Sequence, residues 1–97
     1  MHLIVRTDAE AQIASGYGWY EEERRGLGAE FVEELSFTIA AIELHPLRFP
    51  RVKRNLRRAL VRRFPYGVYF LIRDDAIVVT GVRHLARDPR RIHHRVR

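Results

Sequence analysis

Val52-Lys53-Arg54-Asn55-Leu56-Arg57-Arg58-Ala59-Leu60-Val61-Arg62-Arg63-Phe64 is the stretch on which the fold turns. Val52, Leu56, Leu60 and Phe64 recur every four residues, so a basic amphipathic helix is a fair local reading. The residues that follow argue for a different one. Pro65-Tyr66-Gly67 is a turn, and Val68-Tyr69-Phe70-Leu71-Ile72 is a strand by its β-branched and aromatic content. Asp74-Asp75 makes a second turn, and Ile77–Val82 is another strand. Strands joined by turns form an antiparallel meander. The stretch therefore divides into a short helical or irregular start near Arg51–Asn55 and a strand over Arg57–Phe64.

Upstream of it the periodicity changes. His2–Arg6 reads as a short strand, and Thr7-Asp8-Ala9-Glu10 fits a capping box that opens a helix running to about Glu23. Ala9, Ile13, Tyr17 and Tyr20 fall on one stripe of that helix. Gly16 and Gly18 weigh against it, since each costs about 1 kcal/mol relative to Ala. Arg24 and Arg25 sit where cations suit a helix C-terminus. Gly26 can stop the helix in a left-handed conformation. A second helix runs from about Ala29 to Leu44, with Phe31, Leu35, Ile39 and Ile42 on its apolar stripe and Glu30, Glu33, Glu34 and Glu43 toward water. Pro46 ends it at His45. Two amphipathic helices with a short connection form an antiparallel hairpin. The class is α+β: an N-terminal strand, a two-helix hairpin packed on one face of a mostly antiparallel sheet of about four strands, in the order β-α-α-β-β-β.

Ninety-seven residues and 11.5 kDa allow one domain. We take it as residues 1–91, followed by a basic tail at 92–97. With 46% hydrophobic and 31% charged residues the chain should fold. It has no cysteine, which excludes a disulfide scaffold and a thiolate zinc site. No apolar run is long enough to span a membrane, and Met1–Arg6 is too short and too soon charged for a signal peptide. A cytoplasmic location and no membrane partner are expected. The net charge of +6 is unevenly placed: residues 1–44 carry −6 and residues 45–97 carry +12. Such asymmetry points to an acidic partner. All the basic residues but Lys53 are arginine. Coding bias would account for the excess of arginine, but not for the concentration of positive charge in one half.

The candidate partner-binding cations are Lys53, Arg54, Arg57, Arg58, Arg62, Arg63, Arg83 and Arg87. Strand alternation puts Arg58 and Arg62 on one face and Arg57 and Arg63 on the other, so they cannot all serve one ligand. A solvated sheet face is the bland alternative for any one of them. His84, beside Arg83, has a side chain suited to a general base, and arginine is suited to holding a phosphorane. His93-His94 has no acidic ligand nearby, and no metal site or cofactor is expected. Tyr17, Trp19 and Tyr20 are at helical spacing, which favours packing over base stacking.

Several pieces of this sequence, taken in order, resemble toxins of the RelE/ParE superfamily, the toxic half of bacterial type II toxin–antitoxin pairs. They are Trp19-Tyr20-Glu21, then Gly26-Leu27-Gly28 with Phe31, His45-Pro46, and Arg48-Phe49-Pro50. The most specific are Arg62-Arg63-Phe64-Pro65-Tyr66 with Val68-Tyr69-Phe70, and Val82-Arg83-His84 with Arg87-Asp88-Pro89. The likeness covers about residues 3–91. It implies a helical hairpin on a mostly antiparallel sheet and an antitoxin partner in a hetero-oligomeric complex. Tyr17, Trp19, Tyr20, Phe31 and Leu35 are the antitoxin-binding candidates. The Phe-Pro-Tyr turn and the His84-to-Pro89 segment lean toward the ParE side, whose members poison DNA gyrase. No Tyr follows Tyr69, so a C-terminal catalytic Tyr of the RelE type is missing. The alternative is a RelE-like ribosome-dependent mRNA endonuclease with Arg62 and Arg83 as cations and His84 as base. A third reading is a basic nucleic-acid- or membrane-surface module built on residues 51–64.

Overall fold

The computed structural model describes residues 1–86. Arg87, Asp88 and the His93-His94 pair, like the expected tail, lie outside the described residues. The elements are β1 (His2–Val5), α1 (Thr7–Glu23), α2 (Leu27–Leu44), a 3-10 turn (Pro46–Arg48), β2 (Arg51–Lys53), β3 (Leu56–Leu60), β4 (Tyr66–Arg73) and β5 (Ala76–His84). They form one five-stranded sheet in the order β1-β5-β4-β3-β2. β1 pairs parallel to β5 and every other pair is antiparallel. This is the expected α+β class with one strand more than expected.

The additional strand comes from residues 51–53, where a helical or irregular start was expected. The periodicity of Val52, Leu56, Leu60 and Phe64 was coincidental. Arg54 takes a positive φ of 52° and turns β2 back onto β3. β3 also ends at Leu60, four residues before the expected Phe64. Alternation therefore reaches Arg57 and Arg58 but not Arg62 or Arg63.

β4 alternates cleanly: Tyr66, Val68 and Phe70 face the helices, with Gly67, Tyr69 and Leu71 opposite. A strict period of two along β5 would bury Gly81 and expel Val82. A bulge at Thr80 corrects this, since Phe70 pairs with Val79 and Tyr69 with Gly81. Ile77, Val79 and Val82 are then all in the core. β1 covers β5 only as far as Val79, and beyond it the side-chain oxygen of Gln12 in α1 accepts from Val82 N at 2.7 Å. That bond completes a backbone donor that would otherwise be left at a strand edge.

α1 differs from its expected stripe. Its buried residues are Ala9, Gly16 and Tyr20, with Ile13 packed beside them, whereas Tyr17 is 42% exposed. The expected capping box is not formed. The N-cap is Arg6 and no side chain caps the first turn. A carboxylate cap does appear, but on α2. Glu21 accepts from Gly26 N at 2.9 Å and Gly28 N at 3.0 Å, one oxygen to each, at the positive end of the second helix. Gly26 has φ +90°, as the hairpin turn requires.

The hairpin closes on one ring. Phe31 of α2 packs against Tyr20, Phe64 and Tyr66 with ring centroids 5.1, 5.4 and 4.7 Å away. A Cβ on Gly16 would stand 2.7 Å from the Phe31 ring. The glycine is therefore there for a close approach, and its low helix propensity is outweighed. The segment after β3 is tied down by charge. Arg63, at φ 72°, donates to Glu30 at 2.7 Å and lies 3.6 Å from Glu34. Arg24 lies 3.6 Å from Glu30 on its other side.

Two predictions test this packing. Gly16→Ala should destabilise by about 1–2 kcal/mol despite the better helix former, because overpacking a fixed ring exceeds the propensity gain. Gly18→Ala, whose Cβ would meet nothing within 4 Å, should instead stabilise by about 0.5–1 kcal/mol. Denaturant midpoints would show the opposite signs. The Arg63 hydrogen bond, aided by Arg24, holds the Glu30 carboxyl below its ordinary value of 4.5. A depressed folded pKa stabilises fully above the unfolded value and is lost as pH falls through the folded one. The acid limb of the stability–pH curve should therefore be shallower in Glu30→Gln, with the difference confined to pH near and below 4.5.

Candidate functional site

The basic residues divide by what they do in the fold. Arg57 faces the helical layer beside Ala59, and its Nη1 donates to the Phe49 carbonyl at 2.6 Å. Arg63 is bound by Glu30 and Glu34. Both are tied up within the chain. Arg51, Lys53 and Arg54 are exposed along the outer edge strand and its turn, and Arg62 is exposed after β3. Pro50, the cations and the irregular β2–β3 pairing keep this edge from accepting another strand. Arg58 and Arg83 are half-buried on the face of the sheet that carries no helix among the described residues.

Arg83 and His84 are adjacent on β5 and so leave it on opposite faces. Arg83 is on the helix-free side. His84 stays on the helical side, its ring against Tyr66 at 5.2 Å, and its Nδ1 accepts from Ala86 N at 3.1 Å. Arg62, Arg83 and His84 are thus not gathered on one face, and a base and a cation do not converge there. Arg87 lies outside the described residues. Among the described residues no cluster of His, Asp or Glu is placed to hold a metal ion.

The hydrophobic candidates also separate. Tyr20, Phe31 and Leu35 are in the core and present no surface. Tyr17 and Trp19 remain exposed on α1, Trp19 with its ring edge-on to Tyr20 at 5.1 Å. Sequence reasoning missed the surface at the far end of α2. Phe37, Leu44 and Leu47 are each well over half exposed. Leu44 and Leu47 line a groove of about 630 Å³ with Met1, His45, Pro46, Arg48 and Ile72. The signal was present: Phe37 and Leu44 lie off the Phe31–Leu35–Ile39–Ile42 stripe and have no core to enter. Exposed apolar surface rimmed by polar residues marks contact sites.

No helix among the described residues is long and apolar enough to cross a membrane. A comparison with curated proteins gives no match. Among solved structures the chain is similar to one described as "Chromosomal ParDE TA system from P. aeruginosa", at TM-score 0.79 and 15% identity, over 87% of this chain and 95% of that one. At that identity the likeness speaks for the fold. The family model of the ParE toxin of the type II toxin-antitoxin system, parDE, matches residues 3–89, nearly the whole chain and every element described above, and the chain therefore belongs to the ParE toxin family.

Proposed function

We propose that the chain is a cytoplasmic toxin that inhibits DNA gyrase by protein–protein contact and is neutralised by a cognate antitoxin. Family membership over residues 3–89 is the observation that carries this reading. Two features of the site support it over mRNA cleavage. The candidate base His84 and the candidate cation Arg83 leave β5 on opposite faces. The exposed cations Lys53, Arg54 and Arg62 are spread over an edge and a loop, as a contact surface for a large partner is. The apolar groove at the end of α2, together with Tyr17 and Trp19, gives an antitoxin segment aliphatic and aromatic surface to cover.

Purified chain added to gyrase should abolish supercoiling and leave broken DNA, and the protein encoded beside it should restore activity. The double variant Arg54→Glu/Arg62→Glu should raise the half-inhibitory concentration by about tenfold or more, through lost steering and contact. His84→Ala should leave inhibition intact. Unimpaired supercoiling, with cleavage of translated mRNA that vanishes in His84→Ala, would establish the nuclease instead.

A further inference from the structure

Arg58 and Arg83 are laid flat on the helix-free face of the sheet. Arg58 pairs across β3–β4 with Tyr69, which pairs across β4–β5 with Gly81. Arg83 pairs with Gly67. The two glycines make room for the two stems. A Cβ at Gly67 would meet Arg58 Cδ at 3.0 Å and Cγ at 3.2 Å, and a Cβ at Gly81 would meet Arg83 Nε at 3.4 Å. Arg58 therefore leans across to Gly67 of β4, in the row of Arg83, and Arg83 leans back along β5 to Gly81, in the row of Arg58 and Tyr69.

Their charge is uncompensated among the described residues. Among the described residues neither makes a hydrogen bond or an ion pair through its guanidinium, whereas Arg57 and Arg63 both do. Two half-buried like charges held on the two strands that flank β4 repel each other, and an anion between them relieves the repulsion. The frame around them is aliphatic. Ile4 is 49% and Leu60 58% exposed on the same face, with Leu71 and Val78 half-buried there.

A nucleic-acid strand brings a row of phosphates that matches a row of cations, and offers no aliphatic surface. Two cations ringed by Leu, Ile and Val match a polypeptide that alternates aliphatic and acidic side chains. We propose that the helix-free face of the sheet docks an acidic, aliphatic segment of the antitoxin, one carboxylate of which is gripped by Arg58 and Arg83 together. This rests on the reading of the chain as a toxin held by an antitoxin. It adds a second contact face, across the sheet from the hairpin, and a chemical requirement on the partner.

The test is calorimetric titration with a capped eight-residue peptide of alternating leucine and glutamate. The same peptide with glutamine for glutamate, and an octathymidylate, serve as comparisons. Arg58→Gln and Arg83→Gln should each weaken binding of the acidic peptide by about tenfold or more, as loss of a charge-assisted bond does. Arg54→Gln should change it little. The glutamine peptide should bind the unaltered chain as weakly as the acidic peptide binds the double variant. Arg58→Lys and Arg83→Lys, which keep the charge on the sheet but lose the planar fork, should still weaken binding several-fold. Equal binding by all variants overturns the proposal. So does octathymidylate binding that is tighter than the peptide's and depends on the same arginines. Capture of the antitoxin encoded beside the chain separates the two levels. Undiminished capture by Arg58→Gln/Arg83→Gln removes the docking site and leaves the antitoxin reading standing. No capture by the unaltered chain removes both.

Discussion

The close approach of α1 and α2 around the Phe31 ring is the constraint from which the rest of the structure follows. Gly16 lets the ring in from one side, Tyr20, Phe64 and Tyr66 enclose it, and no part of it is exposed. Emptying such a site costs about 3–5 kcal/mol, a large share of the stability of a domain this size. Four chain segments meet there: both helices, the loop after β3, and β4. The Glu21 cap holds the hairpin turn at the angle that brings Phe31 down onto the sheet. With the ring seated, the apolar stripes of both helices face the same side of the sheet, and among the described residues the other side receives no helix.

Electrostatics repeats that division. The acidic first half of the chain supplies the hairpin and the edge strand β1, and the basic second half supplies the other four strands. Where the two halves touch, at Arg63 with Glu30 and Glu34, the charges pair. Arg57 satisfies a backbone carbonyl under the end of α2. What remains is a set of cations with no hydrogen bond or ion pair among the described residues, exposed at the β2 edge and half-buried at Arg58 and Arg83. Surface pairs such as Arg63–Glu30 add little stability in salt, so their importance lies in holding the 61–65 loop in place.

Most of the architecture was legible from residue order. Strand, two helices and a meander could be read from periodicity, and Pro46 marked the end of α2; Gly26, expected to stop α1, instead caps the start of α2, and α1 ends earlier at Glu23. The errors have identifiable physical causes. The four-residue spacing from Val52 to Phe64 imitated a helix because a turn at Arg54-Asn55 happened to reset the strand phase. The bulge at Thr80 was invisible because nothing local distinguishes one extra residue in a β-rich run. Tyr17 was assigned to the core by spacing alone, whereas Gly16 takes the buried position because only a residue without a Cβ fits against Phe31. The basic half was plain in the composition. Which arginines the fold consumes was not, because Phe49, Glu30 and Glu34 lie eight to more than thirty residues from the side chains they hold.

The absence of cysteine makes one measurement direct. Single cysteines at Leu60, on the helix-free face, and at Asn55, in the exposed β2–β3 turn, can each be labelled with a thiol reagent in the free chain and in its antitoxin complex. If the uncovered side of the sheet is where a partner binds, labelling at Leu60→Cys slows by at least about an order of magnitude in the complex, while Asn55→Cys, in the turn beyond that face, reacts at nearly its free rate. Unchanged labelling at Leu60→Cys in a complex that has demonstrably formed would show that the helix-free face stays open to solvent.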